Sequence, residues 1–150
     1  MPFEFEGAAR SGLVARLDPL CLPHNRLHLL RSIGGHLGRA GYATGLIGKA
    51  HFQPLASRPG MESIACQPLM RDLDFWRNFH GPWYGFDHVE TARNHVCESH
   101  AGQHYAIWME ENGLTNWRDY FRRWPLDKTE PHRKHKWNLP QEFHYSKWTA

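Results

Sequence analysis

The sequence predicts an α/β domain with a mostly parallel sheet, and three observations carry that reading. Ile33, Leu37 and Ala40 recur at helical spacing and lead into Gly41. The run from Tyr42 to Gly48 that follows is short and mostly apolar, as a strand buried in a parallel sheet would be. Helix, glycine and buried strand make half of an α/β unit. The composition agrees: 41% hydrophobic and 22% charged over 150 residues is a globular balance, with enough chain for one core.

Taken in order, residues 1–31 show no period, and Pro19 and Pro23 break any helix there. They read as an irregular, unassigned N-terminal segment, and residues 32–150 as the domain. Ser32 can cap the first helix with its hydroxyl, and Gly41 sits where a left-handed C-cap is wanted. Residues 53–68 contain three prolines and read as loop. A short helix is expected from Arg71 to Phe79, an aromatic turn-rich segment from His80 to Asp87, and the start of a second strand at His88 to Glu90. From Gly102 to Asn112, Tyr105, Trp108 and Met109 stand at helical spacing, and Gly113 stops the helix. Trp117 to Trp124 predicts another short helix, Pro125 to Pro140 a charged surface loop, and Ser146 to Ala150 the beginning of a last helix. No internal repeat is present.

Several function classes are disfavoured. The net charge is +3, but it gathers only at His132–Lys136 (HRKHK), which reads as a solvated loop rather than a nucleic-acid surface. No apolar run approaches the ~20 residues needed to span a bilayer, so no membrane partner is expected. Met1 to Gly12 has two early glutamates and no apolar core, unlike a signal peptide, which points to the cytoplasm. Cys21, Cys66 and Cys97 are unevenly spaced and form no CxxC, which fits a reducing compartment better than a disulfide framework.

The first candidate site is Lys49 with His51. In open α/β sheets, ligands bind outside the carboxyl ends of the strands, and this pair directly follows one. A lysine there can neutralise an oxyanion as a compact point charge. A histidine can donate to the same anion or pass a proton to a leaving group. Both suit a sulfate or phosphate ester, whose non-bridging oxygens carry charge. On spacing alone, a solvent-facing lysine beside a packed loop histidine is the commoner outcome.

The stretch from Ser32 to His51, SIGGHLGRAGYATGLIGKAH, resembles the second signature of the sulfatase family, in which a helix leads to GYxTxxxGKWH. Ala50 replaces the usual tryptophan at what is a packing position between two polar residues. Trp83–Asp87 (WYGFD), Gly102–Tyr105 (GQHY) and Leu139–Ala150 also look like that family, so the resemblance covers most of residues 32–150. It implies the alkaline-phosphatase-like α/β sandwich and hydrolysis of a small-molecule sulfate ester to alcohol and sulfate. It also implies that Lys49 contacts the sulfate and the nucleophile, and that His51 interacts with the nucleophile's hydroxyl. A phosphonate or phosphodiester hydrolase of the same superfamily is the alternative.

The departures matter as much. Family members use an aspartate pair to bind a divalent metal, usually calcium, and a Cys-x-Pro-x-Arg whose cysteine becomes the formylglycine nucleophile. Neither is present in proper form, so no metal ligands are assigned, and the chain is expected to be a truncated fragment, inactive alone. Cys21-Leu22-Pro23-His24-Asn25-Arg26 is a weak candidate for the nucleophile motif: its arginine stands one residue late, and it lies close before Lys49. A chance loop cysteine is the preferred reading. His88, His95, His100 and His104 with Cys97 form a second cluster with loose zinc-ligand spacing. Loop histidines that cap turns or rim a pocket explain it without zinc, although a non-catalytic histidine-rich metal-binding protein stays open as an alternative. Neither the ester nor the oligomeric state is legible in the sequence.

Overall fold

The computed structural model describes residues 32–54, 56–59, 63–93, 100–121 and 139–150. Cys21, His95, Cys97, the basic run His132–Lys136 and most of the 125–140 loop lie outside them. The arrangement is a mix of helix and strand with a small parallel sheet of two strands, β1 (Gly45–Lys49) and β2 (His88–Ala92). Among the described residues, no helix is long and apolar enough to cross a membrane. The described chain falls into two units, the first comprising residues 32–44 and 81–88 and the second residues 45–80 and 89–150 without the gaps above.

The first unit holds helix α1 (Ile33–Arg39). Ser32 caps it as expected, its hydroxyl accepting the Gly35 N–H at 3.0 Å. At the other end Gly41 takes a φ of +94°. There the Tyr42 N–H donates to Leu37 C=O at 3.0 Å and the Gly41 N–H to Gly38 C=O at 3.1 Å. This pair of bonds is a Schellman stop, whose left-handed position favours glycine because it has no Cβ. One expectation fails: Ile33 is 69% exposed and Leu37 is also exposed, while the buried position is Gly34. The contact made on α1 is a backbone approach instead, for a Cβ on Gly34 would stand 2.7 Å from Gly85 C=O.

The expected strand from Tyr42 to Gly48 is corrected to Gly45–Lys49. Its first residues are committed elsewhere. Tyr42 closes the helix stop, and Thr44 forms a side-chain and backbone box with Asp87. In that box the Asp87 carboxylate accepts from the Thr44 N–H at 3.0 Å and from its hydroxyl at 3.1 Å. The strand is also not buried: Ile47 is 66% exposed, and only Gly48 is covered. β2 differs, with Val89, Thr91 and Ala92 all fully buried.

The second unit has its core beneath α2 (Leu73–Asn78) and α3 (Gln103–Glu111). The helix expected from Arg71 divides into a 3-10 turn, Leu69–Arg71, and α2, because Asp72 is extended and caps α2 by accepting the Phe75 N–H at 3.1 Å. Helix α3 matches expectation, with Tyr105 and Met109 fully buried and a second glycine stop at Gly113, φ +97°. Trp76, Trp117 and Phe121 complete the core. Both indoles reach acceptors, Trp76 to Leu69 C=O and Trp117 to the Glu110 carboxylate, each at 2.9 Å, as buried indole N–H groups must. The turn Trp117–Asp119 is 3-10, and the last segment forms a 3-10 turn, Gln141–Phe143, followed by α4 (Tyr145–Trp148).

Candidate functional site

Lys49 is the last residue of β1, and His51 follows two positions later, both on the surface. Ala50 between them is 4% exposed, and its N–H donates to Ala92 C=O at 3.2 Å. Anchoring the middle residue sends its two polar neighbours outward, since adjacent extended residues point to opposite sides. The approach to the pair depends on Gly48, whose φ of +115° belongs to glycine. Gly48 lies against α4: a Cβ there would stand 3.4 Å from the Tyr145 hydroxyl. That hydroxyl is buried without a hydrogen-bond partner, and burial pushes the phenol up to about 12.

The chain beyond His51 is held by Arg93, which directly follows β2 and is 1% exposed. Its guanidinium donates to Gln53 C=O at 2.8 Å, to Pro54 C=O at 3.1 Å and to Ala65 C=O at 3.2 Å. Gln53 in turn accepts the Ile64 N–H at 2.9 Å through its side-chain oxygen. So Ala92 and Arg93 tie residues 50–54 at two points, and the Lys49–His51 pair sits on a fixed segment. Burial lowers the Arg93 guanidinium from its ordinary value, partly opposed by Cys66. Cys66 is a buried free thiol bonded to Ser63 C=O, and so shares this loop.

The histidine cluster is rearranged. His104 of α3 meets His80 and Glu90, neither of which spacing had singled out with it as a site. The His80 Nδ1 lies 2.8 Å from the Glu90 carboxylate, and its Nε2 lies 3.2 Å from Arg77 C=O. Two oxygens thus face the two ring nitrogens of His80. His104 is 3% exposed, and its Nε2 stands 3.9 Å from Glu90. These groups and two tryptophans, Trp108 and Trp148, line a cavity of about 260 Å³. His88 and His100 are partly exposed and do not belong to the trio.

Three donor atoms within 4.8 Å of one another could hold a metal by distance. The ring of His104 argues against it. Its Nδ1 accepts the Thr91 N–H at 3.0 Å, and Nε2 faces Phe79 C=O at 2.9 Å. A backbone N–H is always a donor, so Nδ1 must carry the lone pair and Nε2 the proton that goes to Phe79. A metal ligand needs the reverse, a lone pair on the coordinating nitrogen and a donor N–H on the other. Calcium fits less well still, for it takes six to eight oxygens and this group offers one carboxylate.

Sequence reasoning missed Arg93, His80 and Glu90. A buried arginine facing only backbone carbonyls leaves no pattern of partner side chains to find. Comparison with protein-family models, curated proteins and solved structures finds no match to this chain.

Proposed function

We propose that this chain supplies the lysine and histidine of a sulfate-ester hydrolase site within an alkaline-phosphatase-like α/β sandwich. The observation that carries the reading is the exposed–buried–exposed order of Lys49, Ala50 and His51 at the carboxyl end of β1. The resemblance of Ser32–His51 to a sulfatase signature supports it, and buried Ala50 suits the packing role of the tryptophan it replaces. In this reading Lys49 neutralises a non-bridging oxygen of R–O–SO₃⁻, and His51 donates to the same group or to the attacking hydroxyl. Neither side chain supplies the nucleophile. The calcium of the family would need aspartates that this sequence does not offer in register. The expected partner is a small sulfate ester.

Calorimetric titration of the chain with an aryl sulfate tests this. Binding in the millimolar range, about −4 kcal/mol, is expected for one exposed lysine–anion contact with a histidine donor. Lys49→Ala should abolish the heat. Equal affinity of wild type and Lys49→Ala would refute the assignment, and clear preference for an aryl phosphonate would favour the phosphonate or phosphodiester alternative.

A further inference from the structure

Outside the Lys49–His51 pair, the buried ring of His104 links several elements. One ring joins three elements: it rises from the first turn of α3, accepts the N–H of Thr91 in β2, and faces the C=O of Phe79, the residue that ends α2. β1 lies along one edge of β2, and the opposite edge is satisfied by single groups. Val89 donates to His80 C=O at 2.9 Å, and Thr91 donates to His104.

We propose that His104 is a proton-sensitive latch that fastens α3 to β2 while neutral and releases it when protonated. The reason lies in the bond pattern. Protonation puts a hydrogen on Nδ1, which then points at the Thr91 N–H in a dry site. An accepted bond becomes a donor–donor clash, and a buried unpaired donor costs far more than a bond adds. The surroundings decide how readily this happens. From α2 and the residues after it, Arg77 and His80 face the same cavity, and the His80 ring centroid lies 5.0 Å away. β2 contributes Glu90, and the helix of His104 itself contributes Glu111. Glu90 favours the cation, but its nearer oxygen contact is His80 at 2.8 Å against 3.9 Å for His104. Trp76 packs edge-on at 5.3 Å and offers no charge.

Burial holds the ring below the ordinary histidine value, with Glu90 opposing and His80 reinforcing that shift. A folded value below the unfolded one means that the open state binds the proton more tightly. The latch is therefore closed above about pH 6.5, the unperturbed value, and is progressively lost as pH falls from there through the folded value. Its reach toward function rests on the proposed role of Lys49 and His51. Ala92, next to Thr91, holds Ala50 between those two residues.

The test is amide exchange of Thr91 in the full chain between pH 7.5 and 5.0, corrected for the intrinsic rate. Thr91 protection should fall about tenfold per pH unit below about pH 6.5. His104→Asn places a carbonyl oxygen near the Nδ1 position and cannot titrate, so its profile should be flat. Nitrogen shifts of the wild-type ring give a second readout that needs no variant: at pH 7.5 the proton should sit on Nε2. Zinc alone should leave the melting temperature unchanged. Constant wild-type protection across the range, a proton on Nδ1 at pH 7.5, or stoichiometric stabilisation by zinc would each overturn the latch. None of these readouts depends on sulfate binding, so the latch and the hydrolase reading can fail separately.

Discussion

Replacing Arg93 with methionine keeps most of the stem and removes the guanidinium hydrogen bonds to Gln53, Pro54 and Ala65. Gln53 and Ala65 are buried, so the carbonyls they present to the guanidinium would lose their partner in a dry environment. An unpaired buried acceptor costs ~1–3 kcal/mol, or roughly 2–6 kcal/mol for the pair. Pro54 is only half-buried, and water can replace the arginine there. Against this, burying a guanidinium costs several kcal/mol that the variant recovers. Taking the middle of that range, about 4 kcal/mol, less a recovery of about 2–3 kcal/mol, leaves a net loss of about 1–2 kcal/mol. For a chain of this size that lowers Tm by roughly 2–8 °C, with a parallel drop in the urea midpoint at unchanged slope. A loss below about 1 kcal/mol would show that the three carbonyl contacts contribute little beyond the cost of burying the charge.

Four further outcomes are expected. Gly48→Ala forces a side chain into a φ of +115° against Tyr145, and should cost ~1–3 kcal/mol and weaken anion binding at Lys49, read by urea unfolding and calorimetry. Tyr145→Phe removes a buried hydroxyl that has no partner, so its unfolding free energy should stay within about 1 kcal/mol of wild type or rise. Gly85→Ala, at φ +82° with its Cβ 2.5 Å from the Ser32 hydroxyl, should disturb the cap of α1, seen as lost protection of the Gly35 amide. The isolated chain should show no turnover of an aryl sulfate, with or without calcium and a formylglycine-generating enzyme. Hydrolysis that vanishes on Cys21→Ala would contradict that.

Local signals were legible where one residue type does one physical job. Ser32 caps, Gly41 and Gly113 stop helices, and Tyr105 and Met109 bury a helical face as their spacing says. The placement of Lys49 and His51 at a strand end was also readable, because strand and glycine punctuation lie beside them. Burial was not. Ile33, Leu37 and Ile47 are apolar at the right period, yet exposed, since periodicity reports which face is apolar and not whether anything covers it. The histidine trio was illegible for a different reason. His80, Glu90 and His104 come from three separate segments, and the ring roles are set by backbone groups of Phe79, Arg77 and Thr91 that any sequence would provide. Spacing joined His104 to His100 and Cys97, whereas its ring contacts join it to His80.

Side-chain NMR of Lys49 and His51 during titration with an aryl sulfate decides whether the two residues form the proposed anion site. The Lys49 ammonium and His51 ring signals should move together along a single saturable curve. His104, with both ring nitrogens engaged, should stay still at pH 7.5. Movement of His104 without Lys49 and His51, or no movement of Lys49 and His51 at saturating sulfate ester, would contradict it.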